Sequence, residues 1–348
     1  MVERAQSKRQ AAGRAEAGGN YFSRPKVGVE FISSGCLTLD LALGGGWAEN
    51  RVANVVGDKS SGKTLLAIEA AANFGMKHPK GKIRYRECES AFDVAYAESL
   101  GMPVDRVDFD QPLETVEDMF EDILRVTAGA KQPELYIVDS LDALSDRAEM
   151  ERDMDQGTYG AQKAKNLSQM FRRTVRVLAR SRVTVIIISQ VRSKIGVSFG
   201  RNTTRSGGRA LDFYASQVLY LNSADIEKRA LQGESRAVGI NVKARVDKNK
   251  IALPYREAAF QIRFGYGVDS VGASLDWLSK IGALGDVGIT LPRGAKEHDK
   301  AMRMLKRSYM TADVEPKVPA ADIEEAVRRQ WYEIEGKFLP TRRKYNGA

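Results

Sequence analysis

Residues Arg51–Thr64 read RVANVVGDKSSGKT, and the fold turns on this stretch. A β-branched run, Val52 to Val56, passes without a linker into Gly57-Asp58-Lys59-Ser60-Ser61-Gly62-Lys63-Thr64, which fits G-x-x-x-x-G-K-[ST]. The glycines let the backbone curl until successive N–H groups point at phosphate oxygens, and a helix starting near Lys63 adds its positive end. Lys63 is expected to reach β- and γ-phosphates, and the Thr64 hydroxyl to join a Mg²⁺ shell. The run LLAIEAAANF follows, so the motif has the strand before it and the amphipathic helix after it that such a loop requires.

A phosphate loop needs an acid at the end of a neighbouring strand, and Leu135-Tyr136-Ile137-Val138-Asp139-Ser140 supplies one. Ligands sit at the carboxyl ends of strands in open α/β sheets. Asp139 is therefore expected to hold the metal through water, with Ser140 in the same network. Hydrolysis also needs a group that activates water. Glu87 and Glu89 both lie just past the strand KIRYR, and spacing alone does not choose between them.

Outward from these motifs, short β-branched runs alternate with longer helical patterns. Strands are predicted at Val52 to Val56, Lys82 to Arg86, Leu135 to Val138, Val183 to Ser189, Ser216 to Leu221, Ala237 to Lys243 and Ala258 to Phe264. Helices are predicted at Thr64 to Met76, Val94 to Leu100, Val116 to Ala128 and Ala161 to Arg180. The early β-α alternation implies a mainly parallel sheet with helices on both faces, and the closely spaced later strands an antiparallel extension. The class is α/β. Residues 1–32 are expected to form a basic helical arm, read equally as a solvated leader or as a segment that docks on a neighbouring subunit, with 33–265 the core and 266–348 a small mixed α+β lobe.

The chain has 348 residues, of which 28% are charged, with a net charge of +9. That balance favours polyanionic partners. Two cysteines and two histidines are too few for a disulfide framework or most structural metal sites. The N-terminus lacks the apolar segment of a secretory signal, and no apolar run reaches membrane-spanning length. A cytoplasmic protein without membrane attachment is expected.

The positive charge is concentrated. From Gln156 to Leu211 there is no Asp or Glu, against twelve Lys and Arg. A solvated helix face ordinarily interleaves acids for solubility; an acid-free stretch suits a phosphate backbone, where counter-ion release rewards each base. Two glycine-bearing loops belong here, one around Tyr159 and one from Ile195 to Arg209. Arg205 and its neighbours suit phosphate contact, while Ile195 and Phe199 suit wedging or stacking among bases.

Phosphate loop, acid strand, glutamate-bearing strand end and two basic loops follow one another in the order of the RecA family of recombinases, and the sequence resembles that family from about Ile32 to Tyr266. The segments that carry the resemblance are ISSGCLTLDLALGGG, GDKSSGKT, ECESAFDVAYAESLG, YIVDSLDAL, SQVRSKIGVSFG, GGRALDFYAS and DKNKIALP. The resemblance implies a RecA-type ATPase core that takes ATP and Mg²⁺, assembles a helical filament, and binds single- and double-stranded DNA. It implies Glu89 as the water activator, with Lys63 and Gln190 at the γ-phosphate. Asp93 and Tyr96 would contact adenine, and Lys248 and Lys250 would reach across to the neighbouring subunit's ATP. Arg172, Arg192, Gly207 and Gly208 match DNA-contacting positions.

Some positions depart from the family pattern. Asp212 stands where the family has a base, an arginine is missing near Gln217-Val218, and Tyr159 replaces a frequent Met. The tail ends in Arg342-Arg343-Lys344 instead of acids, and the N-terminal arm is not recognisably the family's. These differences mark a divergent member. Two other functions share parts of the pattern: a ring-forming helicase of the same superfamily, and an accessory paralogue that hydrolyses little. The DKNK pair and the acid-free second loop favour the recombinase over the first, and intact Lys63, Thr64, Glu89 and Asp139 favour it over the second.

Overall fold

The computed structural model describes residues 28–109, 113–150, 160–193, 203–205 and 210–341, with 160–164, 192–193 and 203–205 described by backbone alone. The chain divides after Glu30, and every element below lies in the unit from Phe31 onward.

In chain order the elements are β1 (Phe31–Ile32), α1 (Leu37–Leu43), β2 (Trp47–Ala48), β3 (Val52–Gly57), α2 (Lys63–Lys77), β4 (Lys82–Glu87), α3 (Val94–Ser99), β5 (Val107–Asp108), α4 (Val116–Gly129) and β6 (Glu134–Asp139). There follow α5 (Arg147–Met150), α6 (Gly160–Leu178), β7 (Val183–Ser193), β8 (Thr203–Arg205), α7 (Ala210–Tyr214), β9 (Gln217–Leu231), β10 (Glu234–Asn249), β11 (Glu257–Arg263) and β12 (Gly267–Val268). Helices α8 (Ser270–Lys280), α9 (Ala295–Ser308) and α10 (Ala320–Phe338) close the described chain.

The main sheet runs β12-β11-β10-β9-β3-β7-β6-β4-β5, with β8 pairing β7 beside this path. From β9 through β5 neighbouring strands are parallel; β9 to β12 are antiparallel. The parallel strands are buried on both faces, so their side chains divide between two cores. Ala53, Val55, Leu135, Ile137, Ile186 and Ile188 join one, while Val52, Val56, Tyr136, Val138, Val185 and Ile187 join the other. Continuous apolar runs such as VIII follow from that double burial. The first core takes α2 through Leu66, Ile68 and Phe74, and also Leu275, Leu278, Ile323, Val327 and Trp331 of the C-terminal helices. The second takes Phe120 of α4 and Leu167, Phe171 and Leu178 of α6.

Two strands are much longer than the sequence implies. Beyond Glu227, where β11 no longer pairs with β10, β9 and β10 continue as an exposed two-stranded ribbon, closed by Gln232-Gly233 at φ +52° and +81°. Two consecutive positive φ values define the tight hairpin turn whose twist matches the strands. The ribbon is wet on both faces, so it carries no hydrophobic alternation for a sequence reading to detect.

Candidate functional site

Strand register gathers the motifs. Gly57, the last residue of β3, lies opposite Gln190 of β7, and Glu87 at the end of β4 lies opposite Asp139 at the end of β6. Four motif residues separated by up to 133 positions therefore share the carboxyl edge of one parallel sheet.

The phosphate loop joins β3 to α2. Ser60 takes φ +59° and Gly62 φ +91°. A side chain at position 62 is excluded by space as well, since its Cβ would fall 2.3 Å from Ile262 Cδ1 of β11. The Lys63 ammonium donates to the Asp58 carbonyl at 2.7 Å, folding back over its own loop. Burial pulls its pKa below the ordinary lysine value, against the opposing charges of Asp139, Glu89, Asp142 and Asp58. The Ser61 hydroxyl is buried without a hydrogen-bond partner. Such an orphan costs about 1–3 kcal/mol, and a loop carrying one beside a buried lysine fits an anionic ligand. Lys59 and Asp58 complete the loop.

Asp139 accepts from the Tyr85 hydroxyl at 2.8 Å and hydrogen-bonds Thr64. Burial raises its pKa; the bonds from Tyr85 and Thr64 work against this, and the charges of Glu89 and Glu87 reinforce it. Thr64 and Asp139 together offer the oxygen ligands that Mg²⁺ uses beside phosphate. The Asp139–Ser140 peptide is cis.

The two glutamates that spacing left level differ in what holds them. The Glu87 carboxylate accepts the backbone N–H groups of Glu89 (2.9 Å), Ser90 (2.8 Å) and Ala91 (3.2 Å), so it shapes its own loop. Glu89 Oε1 instead accepts from Ser140 Oγ at 2.6 Å and Gln190 Nε2 at 2.8 Å, and its charge acts on Lys63 of the phosphate loop. The Gln190 backbone N–H donates to Asp142 Oδ2 at 2.5 Å.

Asp93 caps α3 by accepting from the Tyr96 amide at 2.9 Å. Tyr96 is half-buried and hydrogen-bonds the Gly265 backbone. That contact brings the turn holding the exposed rings of Phe264 and Tyr266 against it, an aromatic group that FGYG alone did not signal. Asp142 was missed too; an extra acid shows in YIVDSLDAL, but its partner lies 48 positions on.

Lys248 and Lys250 stand apart from this edge. Lys248 pairs with Val218, which pairs with Asn54. It is thus two strands from β3 and level with its middle, roughly 10 Å back along the sheet and 10 Å across it from Gly57. Its ammonium donates to the main-chain oxygens of Asp212 (2.5 Å) and Phe213 (2.6 Å) at the end of α7, and Lys250 reaches Phe213 O at 3.4 Å.

On α6, Arg172 donates to the Tyr214 hydroxyl at 3.3 Å. Arg173, Arg176 and Arg180 are exposed while Leu167, Phe171, Thr174 and Leu178 are buried, so the helix turns its basic side outward. Strand β7 runs from Gln190 through Arg192 and pairs with β8, where Val191 lies opposite Arg205. Tyr159, Ile195, Phe199, Gly207 and Gly208, like the arm before residue 28, lie outside the described residues.

A strand-loop-helix phosphate cradle beside an aspartate-tipped parallel strand defines the class: a P-loop nucleotide-binding α/β protein. The profile of the RecA N-terminal domain family matches residues 19–269, and the chain belongs to the RecA family. It is 41% identical over 251 residues to Protein RecA of Prochlorococcus marinus (strain MIT 9211), covering 72% of this chain and 66% of that protein. With Protein RecA of Synechococcus sp. (strain CC9605) the identity is 40% over 260 residues, covering 74% and 67%. The chain thus spans just under two thirds of the length of the Prochlorococcus relative. The crystal structure of the RadB recombinase shares the fold, with TM-score 0.50 at 19% identity, over 68% of this chain and 98% of that one. No helix among the described residues is long and apolar enough to cross a membrane.

Proposed function

We propose that this chain is an ATP-driven recombination and repair protein that assembles as a helical filament on single-stranded DNA and exchanges strands with a homologous duplex. The observation that carries the reading is the contact between Gln190 Nε2 and Glu89 Oε1. One residue meets the candidate hydrolytic carboxylate and begins the strand end that leads on toward the loop of residues Ile195 to Arg209, within the acid-free segment. A change at the γ-phosphate therefore has a direct covalent route to the DNA-binding loop.

In this reading the loop amides of residues 58–64 and Lys63 hold the triphosphate, Asp93 and Tyr96 hold adenine, and Thr64 and Asp139 hold Mg²⁺. The metal, when bound, neutralises phosphate charge. Glu89, oriented by Ser140 and Gln190, takes the proton of the attacking water. Lys248 and Lys250 complete the site of the adjacent protomer, which leaves each nucleotide gripped from two sides. The bases of α6 and of the two loops, with Arg172, Arg192 and Arg205 among them, contact phosphates, while Tyr159, Ile195 and Phe199 meet bases. The protein holds the backbone and base pairing tests the sequence. The nucleotide acts as a switch because ATP binds the DNA-gripping state and the DNA-releasing state with different affinity.

The test is ATP hydrolysis with and without single-stranded DNA, joined to electron microscopy with a slowly hydrolysed ATP analogue. Helical filaments and DNA-stimulated turnover are expected. Closed rings would point to the helicase, and DNA-indifferent, negligible turnover to the accessory paralogue.

A further inference from the structure

The turn that follows β10 is fastened from several sides. Asn249 lies between the two lysines, and both ends of its side-chain amide are engaged. Nδ2 donates to the Leu43 carbonyl at 2.9 Å, and Oδ1 accepts from the amides of Ile251 (2.9 Å) and Ala252 (3.0 Å). The same Leu43 carbonyl accepts from Gln217 Nε2 at 3.1 Å. Gln217 lies opposite Asn249 in register; it also donates to Gly46 O at 2.9 Å and accepts from the Ala48 amide at 2.9 Å. Leu43 ends α1, where helix carbonyls lack intrahelical partners, so the two amides supply what the helix end needs.

Contact is close as well as polar. Gly44, at φ +88°, would place a Cβ 2.3 Å from Ala252 Cβ. Only a glycine there lets the turn lie against the α1 terminus. Farther along, Arg256 donates to both carboxylate oxygens of Glu335 on α10, each at 2.5 Å.

A lysine that must meet a phosphate on another molecule has a flexible stem, so its aim depends on the backbone from which it springs. Misplacement by about 1 Å, even from a site outside the chemistry, can lower a rate about a hundredfold. We propose that Asn249, seconded by Gln217, is a positioning residue: it locks the Lys248–Lys250 turn onto the end of α1 and so presets both ammonium groups for the neighbouring protomer's nucleotide. This rests on the reading above that these lysines act in trans.

The experiment measures hydrolysis by full-length protein, alone and in equimolar mixtures. Asn249→Ala removes the whole clamp; Asn249→Asp keeps both acceptor bonds inside the turn but sets a carboxylate oxygen against the Leu43 carbonyl in place of the donor, so the lock to α1 is broken while the turn's own bonds remain. For both, DNA-stimulated kcat is expected to fall between about ten- and a hundredfold, with binding of a non-hydrolysed ATP analogue by the dilute protomer unchanged. Mixing either with Lys63→Ala, itself inactive, is expected to restore hydrolysis. At mixed interfaces an intact nucleotide site then faces an intact lysine turn, which a merely structural defect would not permit. If the Asn249 variants are inactive and mixing restores nothing, the residue acts within its own protomer and the proposal is overturned. If Lys248→Ala and Lys250→Ala abolish hydrolysis while the Asn249 variants hydrolyse normally, positioning fails and the trans reading stands. Normal hydrolysis by the lysine variants sinks both.

Discussion

The central sheet carries charge in opposite ways at two places. At the carboxyl edge of β3, β4, β6 and β7, one buried lysine faces Asp139, Glu89, Asp142 and Asp58. Two strands over and farther back, Lys248 and Lys250 crowd each other, and Lys248 is held by main-chain oxygens of α7. The first place has carboxylates in excess and the second has ammonium groups. A head-to-tail contact, in which different patches of one chain meet, joins such surfaces, and when it does not close on itself it makes a helix. On the proposed filament reading, what one protomer keeps apart a row of protomers would bring together.

The largest effect that would sharpen this contrast is at the acidic edge. Glu89→Gln is expected to lower turnover by about 10²–10⁴-fold, the range of a lost general base, while ATP-analogue affinity measured by calorimetry stays unchanged. Glu87→Gln should do the reverse, weakening the loop it caps while leaving measurable turnover. Equal losses of turnover from the two substitutions would erase the distinction between them.

Next comes the basic place, through pH. Burial, with the Lys250 charge adding to it, pulls the Lys248 pKa down to about 8. Between that value and the ordinary 10.5, the folded protomer binds fewer protons than the unfolded chain, so its stability rises with pH across this window. Assembly should move the other way. ATP-dependent filament formation, followed by light scattering, is expected to weaken as pH passes 8, and Lys248→Arg to remove that dependence. A flat profile for the native chain would separate Lys248 from assembly.

Smaller effects are expected from two residues beside these places. Asp142→Ala loses the acceptor for the Gln190 amide and should reduce severalfold the difference in single-stranded DNA affinity between ATP-analogue and ADP states, read by fluorescence anisotropy. Gly233→Ala meets no atom within 4 Å but must hold φ +81°; about 1–2 kcal/mol of stability is expected to go, visible in urea unfolding, with turnover untouched.

The parallel half of the fold was legible because its strands are buried on both faces and its motifs are local. GDKSSGKT and YIVDS each announce a strand end, and register does the rest. The long ribbon of β9 and β10 escaped because wet strands have no burial pattern. Glu87 and Glu89 could not be separated along the chain, since their difference lies in the amides of residues 89–91 and the side chains of Ser140 and Gln190. Arg86 is another such case. Inside KIRYR it looks like a surface base, yet its side chain is fully buried against Asp122 at 2.9 Å and Asp108 at 3.3 Å.

Ile262 fills the space beneath Gly62, so the nucleotide loop rests on a floor laid by the antiparallel strands, two hundred positions downstream. Bulk at that floor sets how low the loop can sit. Shaving the floor by one methylene or adding to it would retune the cradle's height without touching any residue of the motif, and a screen confined to the motif would miss it.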